Sequence, residues 1–550
     1  MNSSELREKF LTFFKKNGHT VVPSSSLLPS DPSVLFTTAG MQQFKPYYLG
    51  EESPHGKNVA SIQKCIRTSD IDEVGDESHL TFFEMLGNFS FGGYFKEEAI
   101  KLAHEFIVKE LGLKIDYVTV FKGDERVPAD TESEKIWQAI DPSIIIKKEG
   151  KDNFWGPTGE EGPCGSTTEI YVNGIEIWNI VFNEFFCTKE KKLEKLETPG
   201  VDTGMGLERL SMVMQKVPTI FETDLFNKII NIIPGSIELR KKRILTDHAR
   251  AIAFLIADGI RPSNKDQGYI LRRLIRRSLA EEFLSKKYFF EELLEIVILN
   301  YKDFYKELDL NSQTITEEFV KEKEKFSETL EKGINECMKI KTMDIKSAFL
   351  LYQSYGLPYD VIKDFTPNLN QKEFEEELKK HQDKSRTASA GMFKGGLADH
   401  SPETIKLHTA HHLLLAALQQ LFGKQVKQRG SNINQERLRI DFSFDRKLTD
   451  EEKKQVEDIV NQKIREGMEV VKKEMPKEEA EKLGAESEFG VKYGDRVSVY
   501  FIQDNKGNIF SKEFCGGPHV ENTAELGTFK IIKEEAVSSG IRRIKAMLDN

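Results

Sequence analysis

The spacing of apolar and polar positions divides the chain into three regions. Up to about residue 235, short apolar runs such as "SVLFTTAG" and "IEIWNIVFNEFF" alternate with turns rich in glycine and proline. This pattern predicts a mostly antiparallel sheet with helices around it. From about 236 to 390, long amphipathic and charge-rich segments predict helices with few strands. A junction that contains glycine and serine, "SRTASAGMFKGGLADHSPE", leads into the last region.

The last region, at about 397–550, mixes the helical and the strand periods. It begins with the helical run "ETIKLHTAHHLLLAALQQLFG" and continues with strand-like alternation in "RLRIDFSF" and "RVSVYFIQD". A charged helix is predicted between these strands, from about Asp450 to Lys473. The chain is therefore predicted to be an α+β protein of three domains, 1–235, 236–396 and 397–550.

Composition narrows the class of protein. The 550 residues allow several domains, and the net charge of -10 argues against a general nucleic-acid coat while leaving room for a local basic face. No apolar run approaches the ~20 residues that span a bilayer, and charges interrupt the apolar positions of the N-terminal segment, unlike in a signal peptide. The five cysteines are scattered, which indicates a reducing compartment. We expect a cytoplasmic protein without a membrane partner.

Two short motifs in the last region carry metal-binding side chains. In "HTAHH", His408 and His412 lie one helical turn apart on one face, while His411 points about 100° away and is expected to be a neighbour. In "CGGPH", Cys515 and His519 flank two glycines that allow a tight bend. Zn²⁺ prefers imidazole and thiolate ligands in a tetrahedral arrangement, so the two motifs together predict a zinc site. The spacing leaves open whether the ion is structural or assists hydrolysis.

Polar residues in the first region are candidates for substrate contacts. Arg67 lies in "QKCIRTSDIDEVG", and Asp202 and Arg209 lie in "GVDTGMGLERL". Taken alone, an arginine after a glycine-rich turn is usually a surface residue, and an aromatic run such as "HLTFFEMLGNFSFGGYFK" is usually core. The chain has no GxxxxGK[ST] loop and no GxGxxG after a strand, so a P-loop or Rossmann nucleotide site is not supported.

Five stretches, in this order along the chain, resemble the alanyl-tRNA synthetase family. They are "LLPSDPSVLFTTAGMQQFKPYYLG", "HLTFFEMLGNFSFGGYFK", "VDTGMGLER", "LHTAHHLLLAAL" and "CGGPHV", and they cover all three regions. The resemblance implies a class II synthetase with an antiparallel-sheet catalytic domain, a helical domain that recognises the tRNA acceptor stem, and an α+β zinc-containing editing domain. It also implies that the partners are ATP, alanine and tRNA(Ala).

The resemblance assigns roles to individual residues of the first region. Arg67 is expected to hold the α-phosphate of ATP, while Phe82 and Arg209 are expected to stack on opposite faces of adenine. Asp202 is expected to pair with the ammonium group of alanine. The remaining expected contacts with alanine are those of Trp155, Val181 and Gly204. Mg²⁺ is expected with ATP, without an assignment of its ligands.

A small apolar pocket explains the expectation of a second, hydrolytic site. Such a pocket rejects a slightly different side chain by only ~1–3 kcal/mol, so serine and glycine are expected to be charged by mistake. By resemblance, the zinc-containing domain hydrolyses Ser-tRNA(Ala) and Gly-tRNA(Ala), and Gln428 in "VKQRGS" matches a position in the family's editing pocket. Pro518 stands where the family often has threonine, which puts the local hydrogen bonding in doubt but not the metal ligands.

The helical region contains the clearest basic cluster of the chain. In "YILRRLIRR", two pairs of arginines four residues apart form two basic rows on adjacent helix faces, a pattern typical of phosphate binding. A solvated helix face is the alternative. By resemblance, Asn264 and Asp360 read the acceptor-stem G·U pair. The predicted tRNA contacts are therefore Asn264, Arg272, Arg273, Arg276, Arg277 and Asp360.

The chain departs from the larger family members in two places. "GMFKGGLADHSPETIKLHTAHH" runs almost directly from the helical region to the zinc motif, without the β-barrel that usually stands between them. The sequence also ends just past the editing region, without the usual C-terminal domain. We therefore expect a compact or truncated form that is a monomer and binds tRNA mainly at its acceptor stem.

Two other functions are compatible with parts of this pattern. A free-standing deacylase with a vestigial first half would bind zinc and cleave mischarged tRNA without using ATP. A non-catalytic tRNA-binding paralogue would have neither activity. The presence of Arg67, Asp202 and Arg209 argues against the deacylase, and the presence of both sets of site residues argues against the paralogue.

Overall fold

The computed structural model describes residues 1–31, 33–340, 343–366, 368–390, 399, 401–486, 496–538 and 540–549. Two compact units are present, Met1–Asn370 and Gln371–Asn550. The boundary predicted at 235/236 lies inside the first unit, and the boundary predicted at 396/397 lies outside the described residues, as does much of the junction at 385–403. The division into three domains stays a prediction.

A mixed sheet of nine strands forms the centre of the first unit, in the order β1-β2-β3-β9-β8-β7-β4-β5, with β6 paired to β7. The β1–β2 and β4–β5 pairs are parallel and the other neighbours are antiparallel, which confirms the predicted mostly antiparallel sheet. The strands are β1 (Thr20–Val21), β2 (Asn58–Ile66), β3 (Phe82–Phe91), β4 (Tyr117–Phe121), β5 (Ile145–Glu149), β6 (Phe154–Trp155), β7 (Gly162–Val172), β8 (Ile175–Cys187) and β9 (Leu193–Gly206).

Burial explains which strands are central and which lie at the edge. In β3, "FFEMLGNFSF", both faces are covered and nearly every residue is buried, including the polar Glu84, Asn88 and Ser90. Strand β5, "IIKKE", has mostly exposed side chains and lies at the end of the sheet. Its charged residues are typical of an edge that must not pair with a second chain. The α-helices of this part are α1 (Ser3–Lys16), α2 (Lys45–Tyr48), α3 (Lys96–Glu105), α4 (Thr131–Ile140), α5 (Leu207–Gln215) and α6 (Asn227–Ile230).

Residues after the sheet in the first unit are helical. The long helix α7 (Leu239–Ala257) is buried at every position from Ile244 to Ala257, which is typical of a helix surrounded by other elements. It packs against β3, α8, α9 and α11. The helices that follow it are α8 (Asp266–Ser285), α9 (Phe290–Tyr301), α10 (Lys306–Leu310), α11 (Ser312–Lys339), α12 (Ile345–Tyr355) and α13 (Tyr359–Phe365).

The second unit combines helices with two antiparallel sheets, in agreement with the predicted α+β pattern. One sheet has the strand order β10-β11-β16-β15 and the other has the order β12-β13-β14. Helices α15 and α16 cover the apolar core beside the first of these sheets. The elements are α14 (Gln371–Ala390), α15 (Pro402–Phe422), β10 (Gln428–Ile433), β11 (Leu438–Ser443), α16 (Asp450–Arg465), β12 (Glu469–Pro476), α17 (Lys477–Lys482), β13 (Arg496–Gln503), β14 (Ile509–Phe514), β15 (Thr528–Ser538) and β16 (Ile541–Asp549).

The charged helix of the second unit is shorter than the sequence predicts. It starts at Asp450 as expected, after a capping box formed by Thr449 and Glu452, but it ends at Arg465 rather than near Lys473. Gly467 has a φ of +63°, which ends the helix, and "EVVKKEMP" then forms β12. None of the described helices combines the length and the apolar character that a bilayer crossing requires.

Candidate functional site

A cavity of about 300 Å³ lies in the first unit and brings together six residues that the sequence singles out. Strands β8 and β9 form one wall, with Val181 opposite Asp202 and Asn179 opposite Gly204 in register. Strand β9 ends where α5 begins, so the residues after it turn into the same cavity. The predicted residues that line it are Arg67, Trp155, Val181, Asp202, Gly204 and Arg209.

Arg67 stands at the end of β2, with its guanidinium group beside an aromatic ring. Its Cζ lies 5.0 Å from the ring centre of Phe83, and its Nε donates to the carbonyl of Thr38 over 3.4 Å. The backbone N–H of Arg67 donates to the carbonyl of Thr81 over 3.0 Å. The side chain is therefore oriented but keeps N–H groups for an anion.

Asp202 is a buried carboxyl group in the wall of the cavity. Its side chain is almost completely removed from solvent, and this burial raises the pKa of Asp202 to about 7. A buried carboxylate is strongly stabilised by a cation that arrives beside it, because desolvation is the cause of its raised pKa. The position suits an ammonium group.

Arg209 lies across from an acidic edge of the cavity that the sequence reading did not single out. Its Nη1 pairs with Oε2 of Glu176 over 3.1 Å. Burial, followed by the charge of Glu176, raises the pKa of Glu169. Carboxylate oxygens of this kind are the ligands that Mg²⁺ prefers. The spacing of glutamates in "TEIYVNGIEIW", on two neighbouring strands, is the signal that could have predicted this edge.

The prediction that Phe82 contacts the nucleotide is wrong. Phe82 is completely buried and its ring stacks on Phe254 at 4.1 Å, with an angle of 12° between the planes. Successive side chains of a strand point to opposite faces, so Phe83 is the residue that faces the cavity. The alternation of side chains along β3 predicts that only one of the two phenylalanines faces the cavity. Because the two residues are identical, the sequence does not show which one.

The four arginines of α8 do not form an exposed stripe. Arg272 and Arg276 both pair with the buried Glu322, over 3.1 and 2.9 Å. Arg273 pairs with Asp360 over 3.0 Å, and its neighbour Arg277 lies 3.9 Å from the same carboxylate. The predicted basic rows are therefore interhelical ion pairs of half-buried side chains rather than a fully solvated face, and phosphate binding by these arginines stays a prediction.

Asn264 and Asp360 both contact this set of arginines. Asn264 accepts a hydrogen bond from Arg272, and Asp360 accepts one from Arg273. Although burial favours the protonated form, Arg277 and Arg273 lower the pKa of Asp360 to about 2. The carboxylate is therefore ionised at neutral pH and already has partners.

The second unit brings the four predicted metal ligands together. One ligand atom from each of His408, His412, Cys515 and His519 lies within 4.8 Å of the other three. The Cys515 Sγ is 3.4 Å from Nε2 of His408 and 3.4 Å from Nε2 of His519. We call this set the His/Cys cluster. Helix α15 supplies two histidines from one face, and the turn after β14 supplies the other two side chains.

The Nδ1 atoms of the three histidines in the cluster contact oxygens outside it. His408 donates to the carbonyl of Pro518 over 3.0 Å, and Nδ1 of His519 lies 3.2 Å from Oγ1 of Thr409. Nδ1 of His412 lies 2.7 Å from Oε2 of Glu513. Such contacts fix the rings and leave Nε2 as the inward donor atom. The acceptor at Pro518 is its backbone carbonyl, so a proline at this position keeps the hydrogen bond that orients His408.

The electrostatics of the His/Cys cluster favour a thiolate. Burial opposes it, but the hydrogen bonds and charges of His408 and His412 lower the pKa of Cys515 to about 5. Burial likewise opposes a charge on His412, but Glu513 and Cys515 raise its pKa to about 10. Three imidazoles and one thiolate are a donor set that Zn²⁺ accepts tetrahedrally. The residues therefore fit that ion.

Two further residues of the last region can be placed. His411 is buried, and its ring stands nearly perpendicular to that of His412 at 5.8 Å, outside the four-residue set, as predicted. Gln428 is the first residue of β10 and pairs with Phe442 in the register of that sheet. It is partly buried and is not among the metal-binding side chains.

Comparisons with known proteins agree on one family. The family profile described as tRNA synthetases class II (A) matches residues 5–422. A second profile, described as the Threonyl and Alanyl tRNA synthetase second additional domain, matches residues 497–545. The first match covers more than half of the chain.

Curated relatives align along the full chain. The "Alanine--tRNA ligase" of Borreliella afzelii is 46% identical over an alignment 596 residues long, which covers 100% of both chains. The protein of the same name from Treponema denticola is 43% identical and covers 99% of both chains. That of Fervidobacterium nodosum is 35% identical and covers 100% of this chain and 80% of its own length.

The His/Cys cluster predicts one bound zinc ion per chain. We expect the purified protein to bind Zn²⁺ in about equimolar amount, and the Cys515→Ala substitution to abolish binding, because a structural site needs its thiolate. Metal analysis after dialysis measures both. His411→Gln is the matched control, since His411 is equally buried on the same helix, and it should retain the ion. Loss of zinc from His411→Gln alone would contradict this ligand set.

Proposed function

The chain belongs to the alanyl-tRNA synthetase family of class II tRNA synthetases, and we propose how its own residues carry out that family's reaction. It is an enzyme that joins alanine to tRNA(Ala) at the expense of ATP. The observation that carries the residue assignments is the cavity of the first unit, where two arginines, a buried carboxylate and a small apolar wall meet.

The reaction has two group transfers. A carboxylate oxygen of alanine attacks the α-phosphorus of ATP and pyrophosphate leaves, which gives alanyl-adenylate. A hydroxyl of the terminal ribose of tRNA then attacks the carbonyl carbon and AMP leaves. The first transfer requires positioning and neutralisation of charge more than a protein nucleophile.

The two cavity arginines hold the nucleotide in this proposal. Arg67 neutralises charge on the α-phosphate through its remaining N–H groups, and its backbone is fixed by Thr81. Phe83 takes the adenine stack that was expected of Phe82, because it is the member of the pair that faces the cavity. Arg209 covers the opposite face of the base, with its guanidinium group aligned by Glu176.

Asp202 binds the ammonium group of alanine. The buried carboxylate has little contact with water, and the ammonium group supplies the missing polar partner. The two charges stabilise each other away from solvent. Trp155 and Val181 surround the methyl group. Gly204 keeps this wall open, because a Cβ atom at that position would stand 2.9 Å from Sδ of Met85, which lines the same cavity.

Mg²⁺ would enter with ATP, and the donor set for it is present. Glu169 and Glu176 offer carboxylate oxygens at the edge of the cavity, where burial and then the charge of Glu176 raise the pKa of Glu169. When bound, the ion would neutralise phosphate oxygens. The part of the protein is to present two carboxylates beside Arg209.

The acceptor stem of tRNA contacts the end of α8 in this proposal. Asn264 and Asp360 offer amide and carboxylate groups for base edges, and Arg272 and Arg273 join them to the same helix. The two remaining arginines, Arg276 and Arg277, are also partly exposed. Since all four arginines are already paired, they hold the recognising groups in place, and a phosphate would contact them by exchange with Glu322 or Asp360.

The second unit hydrolyses mischarged tRNA. A pocket sized for a methyl group cannot exclude glycine and rejects serine by only ~1–3 kcal/mol, so a second site is required for accuracy. Zn²⁺ would be held by His408, His412, Cys515 and His519, and would either fix the fold of the site or activate water. Four converging protein ligands favour the first role. Gln428 lies in the same unit as a candidate contact to the misacylated end.

The two alternative functions are not favoured. A stand-alone deacylase has no use for a buried carboxylate and two arginines around one cavity, and a non-catalytic paralogue has no use for either site. That the protein is a cytoplasmic monomer stays a prediction.

Pyrophosphate exchange tests the activity directly. We expect alanine to drive strong exchange between pyrophosphate and ATP, and serine and glycine to drive exchange weaker by about 10–200-fold, because the pocket discriminates only through a few contacts. Isotope incorporation into ATP measures this. Absence of exchange with all three amino acids, from folded protein, would contradict the proposed function.

Asp202 generates a pH dependence. The carboxyl group binds ammonium only when ionised, so kcat/KM for alanine should rise with pH through about 7 and level off above it. Asp202→Asn should remove this dependence and lower kcat/KM by about two to three orders of magnitude, since it leaves the ammonium group without a buried counter-charge. Steady-state exchange between pH 5.5 and 8.5 measures both. An unchanged profile in the variant would exclude Asp202 as the titrating group.

Phe83 and Phe82 form a matched pair of substitutions. Phe83→Ala should raise KM for ATP by about 5–100-fold, because loss of a base–aromatic stack costs ~1–3 kcal/mol. Phe82→Leu should leave KM for ATP nearly unchanged and lower the thermal stability instead, because Phe82 is core. Exchange assays at varied ATP, together with thermal unfolding, separate the two effects. The reverse pattern would restore the original assignment.

A further inference from the structure

Helix α7 carries three side chains on one face that contact either a residue of the cavity or the sequence neighbour of one. Asp247, Arg250 and Phe254 are spaced by three and four positions and are all completely buried. None of the three lines the cavity. They contact Thr81, Glu208 and Phe82, respectively. The helix thus reaches the cavity through one intervening residue at three points.

Asp247 is linked to Arg67 through two hydrogen bonds. Its Oδ1 accepts from the backbone N–H of Thr81 over 2.8 Å, and the carbonyl of Thr81 accepts from the backbone N–H of Arg67 over 3.0 Å. The second oxygen of Asp247 lies 3.1 Å from Nδ1 of His248, which orients the carboxylate. Burial lowers the pKa of His248, so its neutral ring can donate from Nδ1 at pH 7.

Arg250 is linked to Arg209 through its neighbour in sequence. Its Nη2 donates to Oε1 of Glu208 over 2.5 Å, and both carboxylate oxygens of Glu208 lie 3.2 Å from the backbone nitrogen of Glu84 in β3. Glu208 directly precedes Arg209 in the first turn of α5. The ion pair therefore fixes the helix turn from which Arg209 extends.

Phe254 completes the arrangement under the aromatic wall. Its ring stacks on Phe82 at 4.1 Å, and Phe82 directly precedes Phe83 in β3. A ring held on one face of a strand also fixes where the next side chain emerges on the other face. Each of the three residues assigned to the nucleotide therefore has an anchor on α7.

We propose that Asp247 and Arg250 are positioning residues for the ATP site, and that α7 sets the geometry of Arg67, Arg209 and Phe83 without touching the substrates. The inference deepens the proposed function and rests on it. If the carboxylate of Asp247 is removed, the N–H of Thr81 loses its acceptor inside the protein, and the start of β3 can shift. Arg67 shifts with it, because its backbone is bonded to the same residue.

A double-mutant cycle tests this link. Asp247→Ala should lower kcat of alanine-dependent exchange by about 10–100-fold, as expected for a catalytic group displaced by about 1 Å, while KM for alanine changes by less than about twofold. Asp247→Asn keeps an acceptor oxygen and should restore most of the rate. Combined with Arg67→Ala, the Asp247→Ala substitution should lower the rate by no more than about a further twofold, because it acts through Arg67.

Two controls separate positioning from general damage. In combination with Arg209→Ala, the Asp247→Ala substitution should lower the rate by the same factor as it does alone. The reason is that Arg209 is anchored through Arg250 and not through Asp247. Ile252→Val, on the same buried helix, should leave the rate within about twofold of the original protein. If Asp247→Ala does not fold, Asp247→Ser replaces it, with thermal unfolding recorded for every variant.

The possible outcomes are distinct. A low rate for Asp247→Ala, rescue by Asp247→Asn and a non-additive effect with Arg67→Ala would support the inference. Full rates for folded Asp247→Ala or Asp247→Ser, or an additive effect with Arg67→Ala, would overturn it while leaving the proposed function intact. Absence of exchange in the unsubstituted protein would overturn the proposed function and this inference with it.

Discussion

A buried network of charged side chains is the interaction on which the first unit depends. Glu84, in the central strand β3, accepts two hydrogen bonds from Arg7 of α1 and one from Tyr305. Its backbone nitrogen faces Glu208, which pairs with Arg250 of α7. Ions this deeply buried stabilise a fold only while every partner is present, because removal of one leaves an uncompensated charge. The network therefore fixes the relative positions of α1, β3, α5 and α7. These positions in turn determine the shape of the cavity.

The second unit uses the same principle with a softer donor set. Three imidazoles and a thiolate lie where water is largely excluded, and partners outside the cluster orient each ring. Contacts of this kind, from the backbone and from Thr409 and Glu513, fix the orientation of the rings that a metal ion would meet. In both units, the positions of the clustered polar groups are set by the packing behind them.

The sequence was sufficient where a local pattern and a chemical requirement coincide. The grouping of the four His/Cys cluster side chains follows from histidines one turn apart and a Cys-Gly-Gly bend, and the cavity residues follow from family motifs at the ends of strands. Failures occurred where the outcome depends on contacts from distant elements. The choice between Phe82 and Phe83 is decided by Phe254, and the arginines of α8 are paired by Glu322 and Asp360, which lie far away in sequence. The charged helical pattern continues past the end of α16, and only the positive φ of Gly467 ends the helix there.

The pairing of the α8 arginines changes what RNA binding at this surface would involve. A free lysine or arginine that meets a phosphate displaces condensed counterions from the RNA, and each such contact makes affinity fall steeply with salt. Here the guanidinium groups already face carboxylates, so a phosphate would enter by exchange with Glu322 or Asp360. Four guanidinium groups share two carboxylates, so part of their positive charge remains to attract RNA, but less than four unpaired arginines would offer. An RNA gains affinity from such an exchange only if its phosphates fit the site. This suits an enzyme that must select one tRNA among many of the same charge.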